Sequence, residues 1–240
     1  MKRLLASLGF AGLVFSAAAN ANAQFRVIHA SPDTPAVDVI INDVFSSPLL
    51  QDVPFTGVSN FFSVPAGAYN AKVVPANQTT PVAINANLLL ADGVSYSVAA
   101  SDLFANITPR VYVDDNTLDS ANARVRFIHL SPGTPNVDIN LAGTSTTIFG
   151  NVAFGDSGGY RTVPAGAYQF DANVAGTSTT ALTTGILNLE ANTVYTVYAL
   201  GLLNGSGAQA LQAVVSVDAV PEPSTLALLG LAALSLVRRR

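Results

Sequence analysis

Residues 126–139, RFIHLSPGTPNVDI, repeat residues 26–39, RVIHASPDTPAVDV, one hundred positions later. The string VPAGAY recurs unchanged at Val64–Tyr69 and Val163–Tyr168, and VSYSVAA at 94–100 returns as TVYTVYA at 193–199. A period near one hundred is far longer than the roughly 20–50 residues of a solenoid unit, so each copy is a whole domain. Apolar residues alternate within the copies. In NVDINL, Val137, Ile139 and Leu141 fall on one face and Asp138 and Asn140 on the other. In YQFDANV, Tyr168, Phe170, Ala172 and Val174 oppose Gln169, Asp171 and Asn173. Period two means strands with one buried face. With turn signals recurring every eight to twelve residues or so, the pattern predicts an all-β chain built as two tandem immunoglobulin-like β-sandwiches.

The turn chemistry is explicit. Pro32 and Pro35, repeated as Pro132 and Pro135, push Ser31 and Thr34 toward extended geometry and forbid a helix, so this segment is expected to be a rigid bend between strands. Asp33 in one copy is Gly133 in the other, which suggests a turn position with positive φ. Pro65-Ala66-Gly67 and Pro164-Ala165-Gly166 read as hairpin loops with glycine in the left-handed position. Asp92-Gly93 reads as another turn.

The 240 residues are 50% hydrophobic and only 11% charged, less than half the usual charged share of about 25%. Without cysteine, no disulfide, thiol nucleophile or thiolate metal site is available, and stability must come from apolar cores. No cofactor site is expected, since the chain has no Gly-rich phosphate loop, HExxH or GxSxG sequence. Five of the eleven basic residues are Lys2, Arg3, Arg238, Arg239 and Arg240; residues 24–219 hold six basic against fourteen acidic side chains, a net charge of −8. Such a body is repelled by phosphate backbones, and nucleic acid is not an expected partner.

Residues 1–23 begin with a basic pair, continue apolar from Leu4 and close on Ala21-Asn22-Ala23. This is the pattern of a signal peptide cut by signal peptidase to leave Gln24 as the first mature residue. Residues 220–240 carry Pro221-Glu222-Pro223, then an uncharged run from Ser224 to Val237, then three arginines. As a short hydrophobic helix the run would reach about 21 Å, less than a hydrocarbon core of about 30 Å. The arginines would hold its end on the cytoplasmic side, giving a transient inner-membrane association.

This tail resembles the PEP-CTERM sorting signal of exosortase substrates in Gram-negative bacteria that make exopolysaccharide. The resemblance implies processing near the triplet by an exosortase-type enzyme and delivery to the cell surface or extracellular matrix, with exopolysaccharide or other surface proteins as partners. The His-x-Ser-Pro-x-Thr-Pro-x-Val-Asp block followed by Val-Pro-Ala-Gly-x-Tyr resembles the exported bacterial module called domain of unknown function 4397, in two copies. That resemblance implies a β-sandwich outside the cell. The resulting domain layout is 1–23 leader, 24–119 and 120–219 sandwiches, and 220–240 sorting tail.

Three site readings follow from residue type. His29 with Ser31 and Asp38, and His129 with Ser131 and Asp138, contain the residues of a hydrolase triad, but all three lie on one strand-bend-strand segment. A buried histidine bonded to backbone beside the bend is the preferred reading, and Arg124 and Arg126 fall on the strand face opposite His129. Asp114, Asp115, Asn116 and Asp119 crowd oxygen ligands between the copies; they form either a solvated linker or a calcium site. Tyr69, Tyr96, Tyr160 and Tyr198 are candidates for a glycan-stacking surface. The expectation is a non-enzymatic surface or matrix protein, with an extracellular hydrolase or glycan-binding module as the alternative.

Overall fold

The alternating segments form strands that the bends distribute between two sheets in each repeat. The computed structural model describes residues 22–221; Ala21, Glu222, Pro223, the apolar run of the tail and Arg238, Arg239 and Arg240 lie outside the described residues. In the first repeat, β1 (Ala23–Ala30), β4 (Phe62–Val64), β7 (Ser95–Ser101) and β8 (Thr108–Asp114) form a sheet in the order β4-β1-β7-β8. The second sheet contains β2 (Val37–Ile41), β3 (Leu50–Val53), β5 (Gly67–Pro75) and β6 (Ile84–Leu90), in the order β3-β2-β5-β6.

The second repeat has the same plan. One sheet, β12-β9-β17-β18, is built from β9 (Asn122–Leu130), β12 (Ser157–Pro164), β17 (Thr193–Leu200) and β18 (Gln212–Ala219). The other, β11-β10-β14-β15, is built from β10 (Val137–Leu141), β11 (Thr147–Val152), β14 (Phe170–Val174) and β15 (Thr180–Thr183). A small extra pair joins β13 (Gly166–Tyr168) to β16 (Leu187–Leu189). The described residues are thus two β-sandwiches, and among them no helix is long and apolar enough to cross a membrane.

Each sandwich closes over its own core. In the first, Phe25 and Val27 of β1 and Tyr96 of β7 meet Val39, Leu88 and Leu90 of the facing sheet. In the second, Val125 and Phe127 of β9 and Val197 of β17 meet Ile139, Phe149 and Phe170. Burying such side chains contributes about 1.5–3 kcal/mol each.

A third apolar cluster lies between the repeats. Ile28 and Ala30 of β1 and Ala99 of β7 pack on Ile128 and Leu130 of β9 and Tyr198 and Leu200 of β17. The sheets containing β1 and β9 are therefore inner layers of a four-layer stack, with the sheets of β2 and β10 outside. The expectation of one buried face fails for the inner strands, and every residue of β17 is buried. Their pairing explains the sequence: β1 runs parallel to β7, and β9 to β17. Parallel central strands covered on both faces read as nearly continuous apolar runs.

Two turn readings also change. The Pro-Ala-Gly segments are not hairpin loops: β4 pairs with β1, whereas β5 pairs with β2 and β6, so VPAGAY carries the chain from one sheet to the other. The tyrosine that ends the string ties this corner. Tyr69 Oη donates to the Pro65 carbonyl at 2.7 Å, and Tyr168 Oη to that of Pro164 at 2.9 Å. At the bend after β9, Gly133 has φ 74°, but Asp33 has no positive φ. Asp33 instead accepts the Phe104 N–H at 2.7 Å. Asp92-Gly93 is a turn with Gly93 at φ 70°.

Candidate functional site

The bend motif spends its polar atoms on its own backbone. His29 is fully buried at the end of β1; its Nε2–H donates to the Pro35 carbonyl at 3.0 Å and its Nδ1 accepts the Ser31 N–H at 3.4 Å. His129 makes the same pair with Pro135 (3.1 Å) and Ser131 (3.3 Å). Each ring meets a phenylalanine edge-on, Phe55 at 6.2 Å and Phe154 at 6.1 Å. Burial depresses both imidazole pKa values, outweighing the opposing bond to the proline carbonyl. Both rings are held neutral with no nitrogen left to serve as a base.

Serine and aspartate are occupied elsewhere. Ser31 and Thr34 hydroxyls bond each other at 2.5 Å, and Ser131 and Thr134 at 2.6 Å. Asp38 accepts the backbone N–H of Asp52 (2.8 Å) and of Asn77 (2.9 Å), and Asp138 accepts those of Asn151 (2.7 Å) and Gly176 (2.8 Å). All four donors sit at positive φ. The aspartate thus clamps two left-handed turns, and those bonds hold the Asp138 carboxyl below its ordinary pKa. Pro32 and Pro132 are buried beneath the bend while Pro35 and Pro135 are exposed. Among the described residues, the histidine, serine and aspartate of each copy are not joined as a triad.

Ala23 heads β1, fully buried and opposite Val64, with Gln24 exposed beside it. Pro221 is exposed two residues beyond the end of β18.

The acidic segment between the repeats is not a uniformly solvated linker, because its side chains divide among separate partners. Asp114 is buried and bonds Arg126 at 2.5 Å. Asp115 turns outward to Arg124 at 2.6 Å, and this hydrogen bond pulls its carboxyl far below the usual range. Asp119 accepts the Ala121 and Asn122 N–H groups, and the Asn116 side-chain oxygen has no partner. No group of three or more metal-ligating histidine, aspartate or glutamate side chains occurs among the described residues.

The tyrosines do not form a stacking surface. Tyr198 is fully buried between the repeats and Tyr96 is 8% exposed, with its hydroxyl accepting the Ala91 N–H. Tyr69 is committed to its corner, and Tyr160 lies against Arg124 and Arg126 at 4.9 and 4.8 Å.

The sequence reading missed the most concentrated chemistry in the chain, which lies in the seam. Arg26 of the first repeat bonds Asp218 of the second at 2.7 Å, and Arg126 of the second bonds Asp114 of the first. Ser97 and Thr196 bridge each guanidinium to the carboxylate of the same repeat. Phe61 and Tyr160 cap the two guanidinium groups at 4.7 and 4.8 Å. Burial opposes the Arg26 charge, yet Tyr198 and Asp218 outweigh it and keep its pKa above the ordinary value. Arg126 is not on a solvent face: that face of β9 is the seam. The available signal was an arginine repeated at the same offset as the histidine, in a strand otherwise apolar.

No curated protein matches the chain. Solved structures similar to it include the Bacillus anthracis TIE protein (12% identity, TM-score 0.26, covering 74% of this chain and 33% of that one). Others are the CBM26 module CBMbc of Eubacterium rectale Amy13K in complex with maltoheptaose (10%, 0.24, 83% and 98%) and a leucine-rich repeat protein from Bacteroides thetaiotaomicron (9%, 0.20, 73% and 25%). The chain spans about one third of the length of the first of these. The family described as "Domain of unknown function (DUF4397)" matches residues 23–140 and again 140–235. With both copies of the motif performing the same structural work, the chain belongs to the DUF4397 family and carries its domain twice in tandem.

Proposed function

We propose that this is a non-enzymatic bacterial surface or extracellular-matrix protein, exported through its leader and sorted by an exosortase-type system. The observation that carries this reading is the position of the Pro-Glu-Pro triplet. β18 ends at Ala219, and Val220 and Pro221 are exposed. Cleavage there leaves both sandwiches whole, while the apolar run and arginines that follow supply a temporary membrane stop. The polar atoms of the repeated motif bond the fold, which suits a scaffold that carries an adhesive or polymer-associating surface. Signal peptidase and an exosortase-type enzyme are the processing partners of this reading, and exopolysaccharide its surroundings.

The test is the intact mass and location of the exported protein. The expected species begins at Gln24 and lacks Arg238–Arg240, and deletion of residues 220–240 leaves folding unchanged but moves the protein to a different location. Recovery of surface material that still carries the terminal arginines, or unaltered localisation after the deletion, overturns the sorting proposal.

A further inference from the structure

The outer sheets of the two repeats diverge at three neighbouring positions. In the first repeat, β2 and β5 place Ile40 opposite Lys72 and Asp38 opposite Val74. In the second, β10 and β14 place Asn140 opposite Asp171 and Asp138 opposite Asn173 at the same rungs. Ile40 and Val74 are fully buried apolar side chains. Their counterparts Asn140 and Asn173 each leave a buried side-chain oxygen with no hydrogen-bond partner, although Asn140 is only 9% exposed.

These residues line an open groove of about 610 Å³ across the outer face of β10 and β14, with Thr144 and Thr180 also among its lining residues and no lysine or arginine in its wall. The first repeat closes its polar face internally: Asn70 donates to Asn85 and Asn87, and Lys72 donates to Asn70. A side chain buried with an unmet acceptor costs stability. Replacing an apolar pair by two such side chains on one face therefore points to an external partner.

We infer that this groove binds a neutral glycan chain, a reading that rests on the proposed surface or matrix role and names the partner of that surface. A carboxamide offers both donor and acceptor, matching a hydroxyl that is also both. The carboxylates are already engaged: Asp138 holds the Asn151 and Gly176 N–H groups, and Asp171 holds the Thr183 hydroxyl at 2.6 Å and the Gly143 N–H at 3.2 Å. That makes them fixed acceptors and poor cation ligands, because a cation would have to displace the donors. Two carboxylates without a basic neighbour repel uronate and phosphate groups. The sugar chain that fits is uncharged.

The experiment titrates the protein as exported with cellohexaose and laminarihexaose, with hexagalacturonate and calcium chloride as competitors for the assignment, following amide shifts or heat. At least one neutral hexasaccharide is expected to bind. Asn140→Ile with Asn173→Val, which installs the first repeat's residues, should weaken that binding by about tenfold or more while raising the thermal midpoint. The single change Asn173→Val should weaken it in the same direction. Absence of binding to both neutral probes, stronger binding of hexagalacturonate, calcium uptake at the groove, or unchanged affinity in the double variant overturns the inference. Localisation of the native protein separates the two readings: correct sorting without glycan binding removes the groove and leaves the surface role standing.

Discussion

Arg26 and Asp218, the one near the start of the first sandwich and the other near the end of the second, form a 2.7 Å ion pair with side chains 1% and 0% exposed. Arg126 and Asp114 form its counterpart with the direction reversed. Charges this deep need full compensation, and the Ser97, Thr196 and Ser216 hydroxyls supply part of it. Breaking one pair strands its partner. Arg26→Ala is expected to destabilise the protein by about 3–5 kcal/mol. Arg26→Met with Asp218→Leu should cost much less than either single truncation; the midpoint of denaturant unfolding decides.

Acid sensitivity should begin at the histidines. Each imidazole has a folded pKa below its unfolded value of about 6.5, so the unfolded chain binds more protons as pH falls below that value. The contribution is complete above about pH 6.5 and is lost as pH falls toward the folded pKa, with a limiting slope of about 1.4 kcal/mol per pH unit for each ring. Unfolding midpoints from about pH 7.5 to about pH 5 should decline, and less steeply in His29→Gln with His129→Gln. An unchanged slope in that variant contradicts the burial of neutral rings.

The aspartate clamp gives a separate acid response. Asp138 has a depressed folded pKa, so its contribution is present above the ordinary carboxylate range and disappears only as pH falls through the folded value. At neutral pH, Asp38→Ala leaves the Asp52 and Asn77 N–H groups unmet and should cost about 1–3 kcal/mol in equilibrium unfolding.

The corner tyrosines test the corrected reading of VPAGAY. Tyr69→Phe and Tyr168→Phe each remove one hydrogen bond to a carbonyl four residues upstream and are expected to cost about 1 kcal/mol apiece. The two effects should add, since the corners belong to different sandwiches.

Much of the fold was legible because local rules agree. The hundred-residue repeat fixed the number of units, alternation at Val137–Leu141 and Phe170–Val174 located strands, and the paired prolines marked the bend between β1 and β2. The histidine's position followed from period-two counting, which puts it with Val125 and Phe127. The seam did not follow, because alternation reports that Arg126 opposes Phe127 but not what lies beyond it. The partner that neutralises Arg26 is Asp218, nearly two hundred residues away, and only tertiary packing joins them. VPAGAY misled for a related reason: proline followed by glycine signals a change of direction, and whether the chain returns to the same sheet or crosses to the facing one is settled by pairing partners. The groove was hidden in plain view, since Asn140 and Asn173 look like ordinary outward-facing strand residues until their neighbours and those of Ile40 and Val74 are compared.

The crossed charges also constrain how such a chain could arise. Each half offers an arginine and an aspartate to its neighbour in the same sense, so the buried face of one half is complementary to a second copy of itself. A lone half would therefore expose an apolar patch with an arginine and an aspartate that have lost their ion-pair partners, a face complementary to an identical molecule about a two-fold axis. In the tandem chain the second repeat supplies that complementary face covalently.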